Sequence, residues 1–86
     1  MLKRAKKFYC YLLRCKDGTL YTGITDDLKK RELAHNTGKG SKYVHSRGGG
    51  KITYSETFKS RPLALKREAV IKKLPKIKKE LLILGK

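Results

Sequence analysis

Hydrophobic and polar residues are arranged along this chain in short blocks that predict strands before helices. Residues 8–13 are aromatic and aliphatic apart from Cys10, which is typical of a strand. A turn signal, Asp17-Gly18, follows, and residues 19–24 have the composition of a returning strand. Residues 52–58 alternate between apolar and polar positions and predict a third strand. We therefore expect a hairpin at the start of the chain and one further strand.

The first helix is predicted to follow the hairpin directly. Thr25 can cap it, and the two aspartates after Thr25 favour the positive end of the helix dipole. The helix should run to about Asn36, where Thr37-Gly38 ends it.

Two more helices are predicted after the third strand. Ser60 caps the first of them, Pro62 lies in its first turn, and it runs to about Leu74. Pro75 begins the last helix. The residues expected to form the apolar stripe of that helix are Ile77, Leu81 and Leu84.

Residues 38–51 contain five glycines and several basic residues, and they predict a mobile surface loop without a packed core. The expected whole is one α+β domain over residues 1–86, with its core at about 7–84. It consists of a three-stranded antiparallel sheet flanked by helices in the order β-β-α-β-α-α.

Net charge narrows the class of partner. The chain has 23 Lys and Arg against 7 Asp and Glu, a formal net charge of +16. A compact chain with this charge repels itself, and a nucleic acid is the commonest polyanion that offsets the repulsion. A merely solubilising or thermophile-like surface would carry matching acids. No apolar run approaches the about 20 residues of a membrane span.

The cysteines and histidines give no sign of a disulfide or zinc site. Cys10 and Cys15 fall on opposite faces of one predicted strand, too far apart for a bridge. With His35 and His45 they do not form a zinc-binding spacing. Reduced thiols and the lack of a signal-peptide pattern predict a cytoplasmic location.

Glu68 is the most unusual polar residue of the predicted helices. Ala64, Leu65 and Ile71 surround it on the face expected to meet the sheet. A carboxylate there is costly unless it is paired or binds a metal ion. An ion pair with Arg31, or a helix phase that differs by one residue, would also explain its position.

Four other residues attract attention only as a group. Arg31 and His35 are four apart and share one helix face, which by itself is typical of a solvated charged surface. Tyr11 and Tyr21 by themselves fit ordinary strand tyrosines with buried rings.

Together these residues resemble the GIY-YIG nuclease superfamily, in particular its small single-domain branch. The two tripeptide motifs are YCY and YTG, ending at Tyr11 and beginning at Tyr21. The family's arginine, ten positions beyond the second tyrosine, matches Arg31, and its tyrosine or histidine four residues later matches His35. The glutamate of the late helix matches Glu68. The resemblance covers residues 9 to about 74.

The chain departs from the family pattern at packing positions. Tyr9 and Cys10 replace the glycine and isoleucine of the first motif, and Thr22 replaces the isoleucine of the second. Ile24 stands where some members have a lysine, and the late asparagine of some members has no match.

Both motif tyrosines must point to one site, and this requirement predicts the hairpin register. Across an antiparallel pair, residues on the same face have numbers whose sum is even. A two-residue loop would give an odd sum, whereas a three-residue loop at 16–18 with its glycine left-handed gives an even one. We therefore predict that Leu13 lies opposite Tyr21 and Tyr11 opposite Gly23.

The resemblance implies a metal-dependent endonuclease that hydrolyses phosphodiester bonds. Tyr11 would act as, or position, the general base, with its pKa lowered from about 10 by nearby cations. Tyr21 would orient water or phosphate, and Arg31 would hold the non-bridging oxygens. His35 would share proton handling with Tyr11 or hold the phosphate. Glu68 would bind one Mg²⁺ or Mn²⁺ ion.

Substrate contacts are expected from the glycine-rich segment. Lys39, Lys42 and Arg47 can reach phosphates and Tyr43 can stack on a base, although the segment could equally be a non-specific basic loop. We expect DNA in preference to RNA, read loosely by its structure or with specificity supplied by a protein partner.

Two other functions fit the same sequence. One is a non-catalytic DNA- or RNA-binding module that has kept the nuclease fold. The other is a basic interaction protein, such as a ribosome-associated factor, with RNA preference and no response to metal.

Overall fold

The computed structural model describes residues 6–86, which form three strands and four helices. None of the helices in this part of the chain is both long enough and apolar enough to cross a membrane. The elements in chain order are β1 Phe8–Cys15, β2 Leu20–Thr25, α1 Leu28–Asn36, α2 Lys42–Ser46, β3 Gly50–Phe58, α3 Arg61–Lys72 and α4 Lys76–Ile83.

The sheet is antiparallel with the strand order β2-β1-β3, so β1 lies in the middle. Cys10 and Leu12 belong to a buried cluster on one face, and Tyr11, Leu13 and Cys15 belong to a cluster on the other. A central strand is covered on both faces, which explains the continuous apolar run at the start of the chain. Both cysteines are free, buried and on opposite faces, as predicted.

The predicted hairpin register is confirmed. Tyr11 lies opposite Gly23 and Leu13 opposite Tyr21. The three-residue loop closes with a 2.8 Å hydrogen bond from the Cys15 N–H to the carbonyl of Thr19. Gly18 supplies the left-handed residue, with φ +88°.

Helix α1 begins two residues later than predicted, so the expectation that Thr25 caps it is wrong. Thr25 is the last residue of β2, paired with Tyr9, and is therefore held in extended backbone. Asp27 is the cap instead, and its carboxylate accepts a 3.0 Å hydrogen bond from the Lys30 N–H. The predicted end at Asn36 is confirmed.

Residues 38–51 are not the coreless loop that was predicted. Helix α2 lies within this segment, and the Ser41 hydroxyl caps it by accepting a hydrogen bond from the Tyr43 N–H. Val44, the segment's one aliphatic residue, is fully buried in the cluster around Tyr11 and Leu13. The burial of Val44 therefore packs the segment against the core beneath it. The helix adds one element to the predicted order of strands and helices.

Helix α1 is fastened to the outer edge of β3 by two side chains one turn apart. The Asn36 amide exchanges two 2.8 Å hydrogen bonds with the backbone of Gly50. Glu32 accepts a 2.6 Å hydrogen bond from the Ile52 N–H. These contacts satisfy backbone N–H and C=O groups that an edge strand leaves without hydrogen-bond partners. They also fix the side of α1 that faces the sheet.

A β-bulge in β3 changes which face its residues occupy. Leu12 pairs with Tyr54 but Leu13 pairs with Ile52, so Thr53 is the extra residue. Ile52 therefore packs in the cluster of Tyr11, whereas Tyr54 packs on the opposite face.

Helices α3 and α4 cover that opposite face, where Ile71 is fully buried. The apolar stripe predicted for α4 is wrong, since Ile77 and Leu84 are 64% and 68% exposed. Leu82 and Ile83 pack on the core instead.

Two bidentate ion pairs tie these helices to the sheet and set the face that each presents. The guanidinium of Arg14 on β1 binds the carboxylate of Glu80 on α4. Arg67 on α3 binds Glu56 on β3 at 3.0 Å, and Glu56 also accepts a hydrogen bond from the Tyr54 hydroxyl. The contact of Glu80 with the sheet explains why α4 is rotated from the phase that apolar spacing predicts.

Thr22→Val should stabilise the protein. Thr22 is 4% exposed, and its hydroxyl has no hydrogen-bond partner among residues 6–86. Replacing the hydroxyl with a methyl group of similar size removes this unmet polar group, so we expect the free energy of unfolding to rise by about 1 kcal/mol. Urea denaturation measures the change.

Thr57→Val is the matched control, because Thr57 is exposed on β3. We expect its effect to stay within about 0.5 kcal/mol. A lower unfolding free energy for Thr22→Val would show that its hydroxyl has a partner after all, such as an ordered water.

Candidate active site

The phenol oxygen of Tyr11 is the centre of the candidate site. Tyr11 is 1% exposed, and its ring lies across the neighbouring strand at Gly23. A Cβ atom at Gly23 would be 2.6 Å from the phenol oxygen and 2.7 Å from Cζ. The glycine of the second motif is therefore required because the first motif's tyrosine occupies the space of its side chain.

Helix α1 brings two of the predicted residues to this oxygen. His35 Nε2 lies 2.8 Å from the Tyr11 oxygen, and Arg31 Nε donates to the same oxygen over 3.5 Å. The two residues are one helical turn apart and project from the same face. His35 is fully buried, whereas Arg31 is partly exposed.

Aromatic rings extend the site from Tyr11 towards solvent. The Tyr21 ring is 6.3 Å from the Tyr11 ring and meets the His35 ring edge-on at 5.3 Å. On its other side it stacks at 6.0 Å on Tyr43 of α2, which is 40% exposed. Tyr21 and Tyr43 thus form the accessible rim of a site whose inner members are buried.

Burial dominates the ionisation of the inner groups. It raises the pKa of Tyr11 to about 12, opposed by the hydrogen bond from Arg31 and augmented by the nearby Tyr21. Burial and the charge of Arg31 lower the pKa of His35. The expectation that nearby cations lower the phenol's pKa is therefore wrong for the protein alone. Near neutral pH both groups are uncharged.

Glu68 lies on the predicted face of α3, and its side chain is 18% exposed. Ala64 and Ile71 are buried beside it as expected, but Leu65 is 40% exposed. The predicted burial is therefore correct for Ala64 and Ile71 and wrong for Leu65.

The carboxylate of Glu68 acts on the site through its charge. Within the described residues its ion-pair partner is Lys72, at 3.7 Å on the same helix, rather than Arg31. Its charge contributes to the raised pKa of both Tyr11 and Cys10, groups on opposite faces of β1. Glu68 is thus near enough to both for electrostatic influence.

Glu68 is also the residue that could bind a divalent metal ion. Residues 6–86 contain no cluster of three or more His, Cys, Asp or Glu able to enclose a metal. A lone carboxylate fits Mg²⁺, which keeps several waters and commonly uses one or two carboxylates with substrate oxygens.

The predicted nucleic-acid-binding residues lie on and around α2. Lys39 and Lys42 are exposed. Arg47 forms a 2.9 Å ion pair with Asp17 and lies over the Tyr43 ring at 4.7 Å. Arg47 therefore holds the rim tyrosine, and its charge is partly neutralised within the protein.

An uncovered half of the sheet lies next to Tyr11, and the sequence did not predict it. The register places Tyr9, Ser55 and Thr57 on the same face as Tyr11, beyond the part that α1 and α2 cover. Ser55 and Thr57 are exposed. Their alternation along β3 was visible in the sequence, but the bulge at Thr53 decides which face they occupy.

Two more groups were missed because they act through the backbone or from a distant helix. The Ser41 N–H donates a 3.1 Å hydrogen bond to His35 Nδ1, beside a close approach of Gly40. Arg61, at the start of α3, lines a cavity of about 180 Å³ together with Arg31 and Thr25. A serine before a short helix is a capping signal that could have located Ser41. No comparable pattern marks Arg61.

Comparison with known proteins identifies relatives of this chain. The model of the GIY-YIG catalytic domain matches residues 7–80. A UPF0213 protein of Streptococcus agalactiae is 53% identical over 64 residues, covering 74% of this chain and 73% of the relative. A UPF0213 protein of Clostridium perfringens is 49% identical over 78 residues, covering 91% and 84%.

A solved structure shows the same architecture. The solution NMR structure of the UPF0213 protein BH0048 from Bacillus halodurans is 40% identical, with a TM-score of 0.58. The match covers 93% of this chain and 85% of that one. The chain therefore belongs to the GIY-YIG family, among its small single-domain UPF0213 members.

Proposed function

We propose that this protein is a metal-dependent endonuclease that hydrolyses phosphodiester bonds in DNA, directed by DNA structure or with low sequence specificity. The observation that carries the proposal is the meeting of two family motifs and helix α1 at one phenol oxygen. Arg31 and His35 both contact the Tyr11 oxygen, and Tyr21 packs against the same group. A structural tyrosine would not need both of these partners.

Arg31 and Tyr21 would contact the scissile phosphate, because both are partly exposed while Tyr11 and His35 lie behind them. The planar guanidinium of Arg31 suits two non-bridging oxygens. It also matches the charge that develops there during displacement. Tyr21 would orient the phosphate or the attacking water with its hydroxyl.

Tyr11 would position the attacking water as a neutral phenol, and it would accept the water's proton only after its own ionisation. That ionisation requires the substrate complex to offset the burial that raises its pKa. His35 would hold the Tyr11 oxygen in place through its 2.8 Å contact. Its two ring nitrogens already have partners in the protein, which argues against direct phosphate binding.

Glu68 would hold one Mg²⁺ or Mn²⁺ ion, with waters and substrate oxygens as the other ligands. The ion, when bound, would neutralise charge on the reacting phosphate and on the leaving oxygen.

The DNA would lie across the rim of the site. Exposed Lys39 and Lys42 can contact phosphates, and the Tyr43 ring offers a face to a base. Ser55 and Thr57, on the uncovered half of the sheet, add hydroxyl donors beside Tyr11. These contacts favour recognition of backbone shape, so a protein partner would supply any sequence specificity.

Two observations favour the alternative of a non-catalytic nucleic-acid-binding module. Tyr11 is 1% exposed and the candidate metal site has a single carboxylate. Binding without cleavage would be the result if the buried phenol never reaches the substrate.

Glu68→Ala should abolish cleavage while leaving DNA binding within about threefold, because the carboxylate serves the metal and not the phosphate contacts. The measurement is cleavage of branched, flapped and single-stranded DNA with Mg²⁺ or Mn²⁺, beside binding of the same DNAs. The matched control is Lys66→Ala, an exposed residue of the same helix, which should cleave like the parent.

The parent protein could instead bind these DNAs without cleaving any of them, with binding unchanged in Glu68→Ala. That result would contradict the nuclease and support the non-catalytic binding module. Preference for RNA with no response to metal would instead indicate a basic RNA-interaction protein.

Arg31→Lys should reduce the cleavage rate about 10²-fold with little change in the dissociation constant for DNA, because lysine keeps the charge but loses the planar fork. Single-turnover cleavage and fluorescence binding measure the two quantities separately. Equal losses in rate and affinity would show that Arg31 only attracts DNA.

A further inference from the structure

His35 has both ring nitrogens engaged, and the partners differ in kind. Nδ1 receives the Ser41 N–H at 3.1 Å, and Nε2 lies 2.8 Å from the Tyr11 oxygen. A main-chain N–H can only donate, so Nδ1 must carry a lone pair. A neutral imidazole has one N–H, and it is therefore on Nε2.

The tautomer sets the direction of the bond to Tyr11. With its proton on Nε2, His35 donates and the Tyr11 oxygen accepts. Arg31 Nε donates to the same oxygen over a longer 3.5 Å. The oxygen thus accepts from two N–H groups of α1, and the phenol's own proton must point away from both.

We propose that the Gly40–Ser41 backbone is a positioning element that fixes His35 as a hydrogen-bond donor to Tyr11 and prevents it from acting as the base for the Tyr11 proton. The catalytic meaning of this arrangement rests on the function proposed above, whereas the tautomer itself does not. Gly40 and the main-chain N–H of Ser41 have a positioning role, because they act through His35.

Gly40 is the residue that allows the backbone to come this close. A Cβ atom there would lie 2.6 Å from His35 Nδ1 and 3.0 Å from its Cα and backbone N. The Lys39 and Gly40 N–H groups both donate to the carbonyl of Ala34 at 2.9 Å. The chain therefore doubles back tightly on the last turn of α1.

Ser41 is held from the other side as well. Its hydroxyl accepts a 3.1 Å hydrogen bond from the Tyr43 N–H and begins α2. The buried Val44 then anchors α2 in the core beneath Tyr11. The N–H that faces His35 is thus held between the tight turn at Gly40 and the buried Val44.

The arrangement determines where the proton travels. When the Tyr11 phenol loses its proton, that proton leaves on the side away from α1, to substrate or solvent, and the phenolate keeps two N–H donors. When the phenolate takes a proton from water, the water O–H breaks and a phenol O–H forms. The hydroxide then bonds to phosphorus as the P–O bond to the leaving oxygen breaks, and that oxygen takes a proton from solvent. His35 stays neutral in both directions, stabilising the oxyanion as a fixed donor.

The ¹⁵N NMR spectrum of the full-length protein labelled at histidine tests the tautomer directly. The chain has two histidines, and His45 is exposed on α2, so a His45→Gln variant assigns the signals. Near neutral pH we expect His35 to show an unprotonated Nδ1 and a protonated Nε2. A proton on Nδ1, or a charged His35 ring, would overturn the proposal.

A pair of variants tests the positioning role. Gly40→Ala should displace the Ser41 N–H, so that the His35 signals shift towards a mixture of tautomers and cleavage falls about tenfold or more. Ser41→Ala is the matched control, since it removes the hydroxyl but keeps the N–H. It should keep the parent tautomer and lose less than about threefold in rate.

Stability is measured for both variants, so that an unfolded Gly40→Ala is recognised. In that event the parent spectrum still decides the tautomer on which the proposal depends. A folded Gly40→Ala with shifted His35 signals but the full cleavage rate would refute the positioning role. If the parent shows the expected tautomer but cuts no DNA, the proposed function fails while the assigned tautomer stands.

Discussion

The hydrogen bond between Tyr11 and His35 is the contact on which the rest of the site depends. It joins the central strand to α1 in the interior, with both side chains almost fully buried. Each partner is placed by a glycine, because Gly23 leaves room for the phenol and Gly40 lets the loop backbone reach the imidazole. Burial then makes both groups neutral in the free protein. Of the two groups that contact the Tyr11 oxygen, Arg31 is the more exposed.

The two faces of the sheet are covered to different extents. Helices α3 and α4 close one face with an apolar cluster and two bidentate ion pairs. Helices α1 and α2 cover only half of the other face, around Leu13 and Ile52. The bulge at Thr53 changes the face that the later residues of β3 occupy. Without the bulge, strict alternation would place each of them on the opposite face of the sheet. The uncovered half lies beside Tyr11, with Ser55 and Thr57 exposed on it.

Much of the fold followed from local rules. The hairpin register was predicted from the even-sum requirement and from the preference of glycine for a left-handed turn, and the structure has the same pairing. Predictions failed where a distant contact competed with a local pattern. Thr25 remained in the sheet, Glu80 turned α4 towards Arg14, and Val44 drew a glycine-rich segment into the core. The spacing of apolar residues carries no information about such partners.

The sequence by itself identified the five candidate site residues, the family they resemble and the order of the strands and helices apart from α2, because motif spacing and periodicity are properties of the chain. Only the tertiary structure decided how the residues act on one another. It showed that burial raises the phenol's pKa and does not lower it, that Arg47 is engaged with Asp17, and that a backbone N–H from Ser41 faces His35. Burial and hydrogen-bond direction depend on groups far apart in sequence, and they are therefore defined only after the chain has folded.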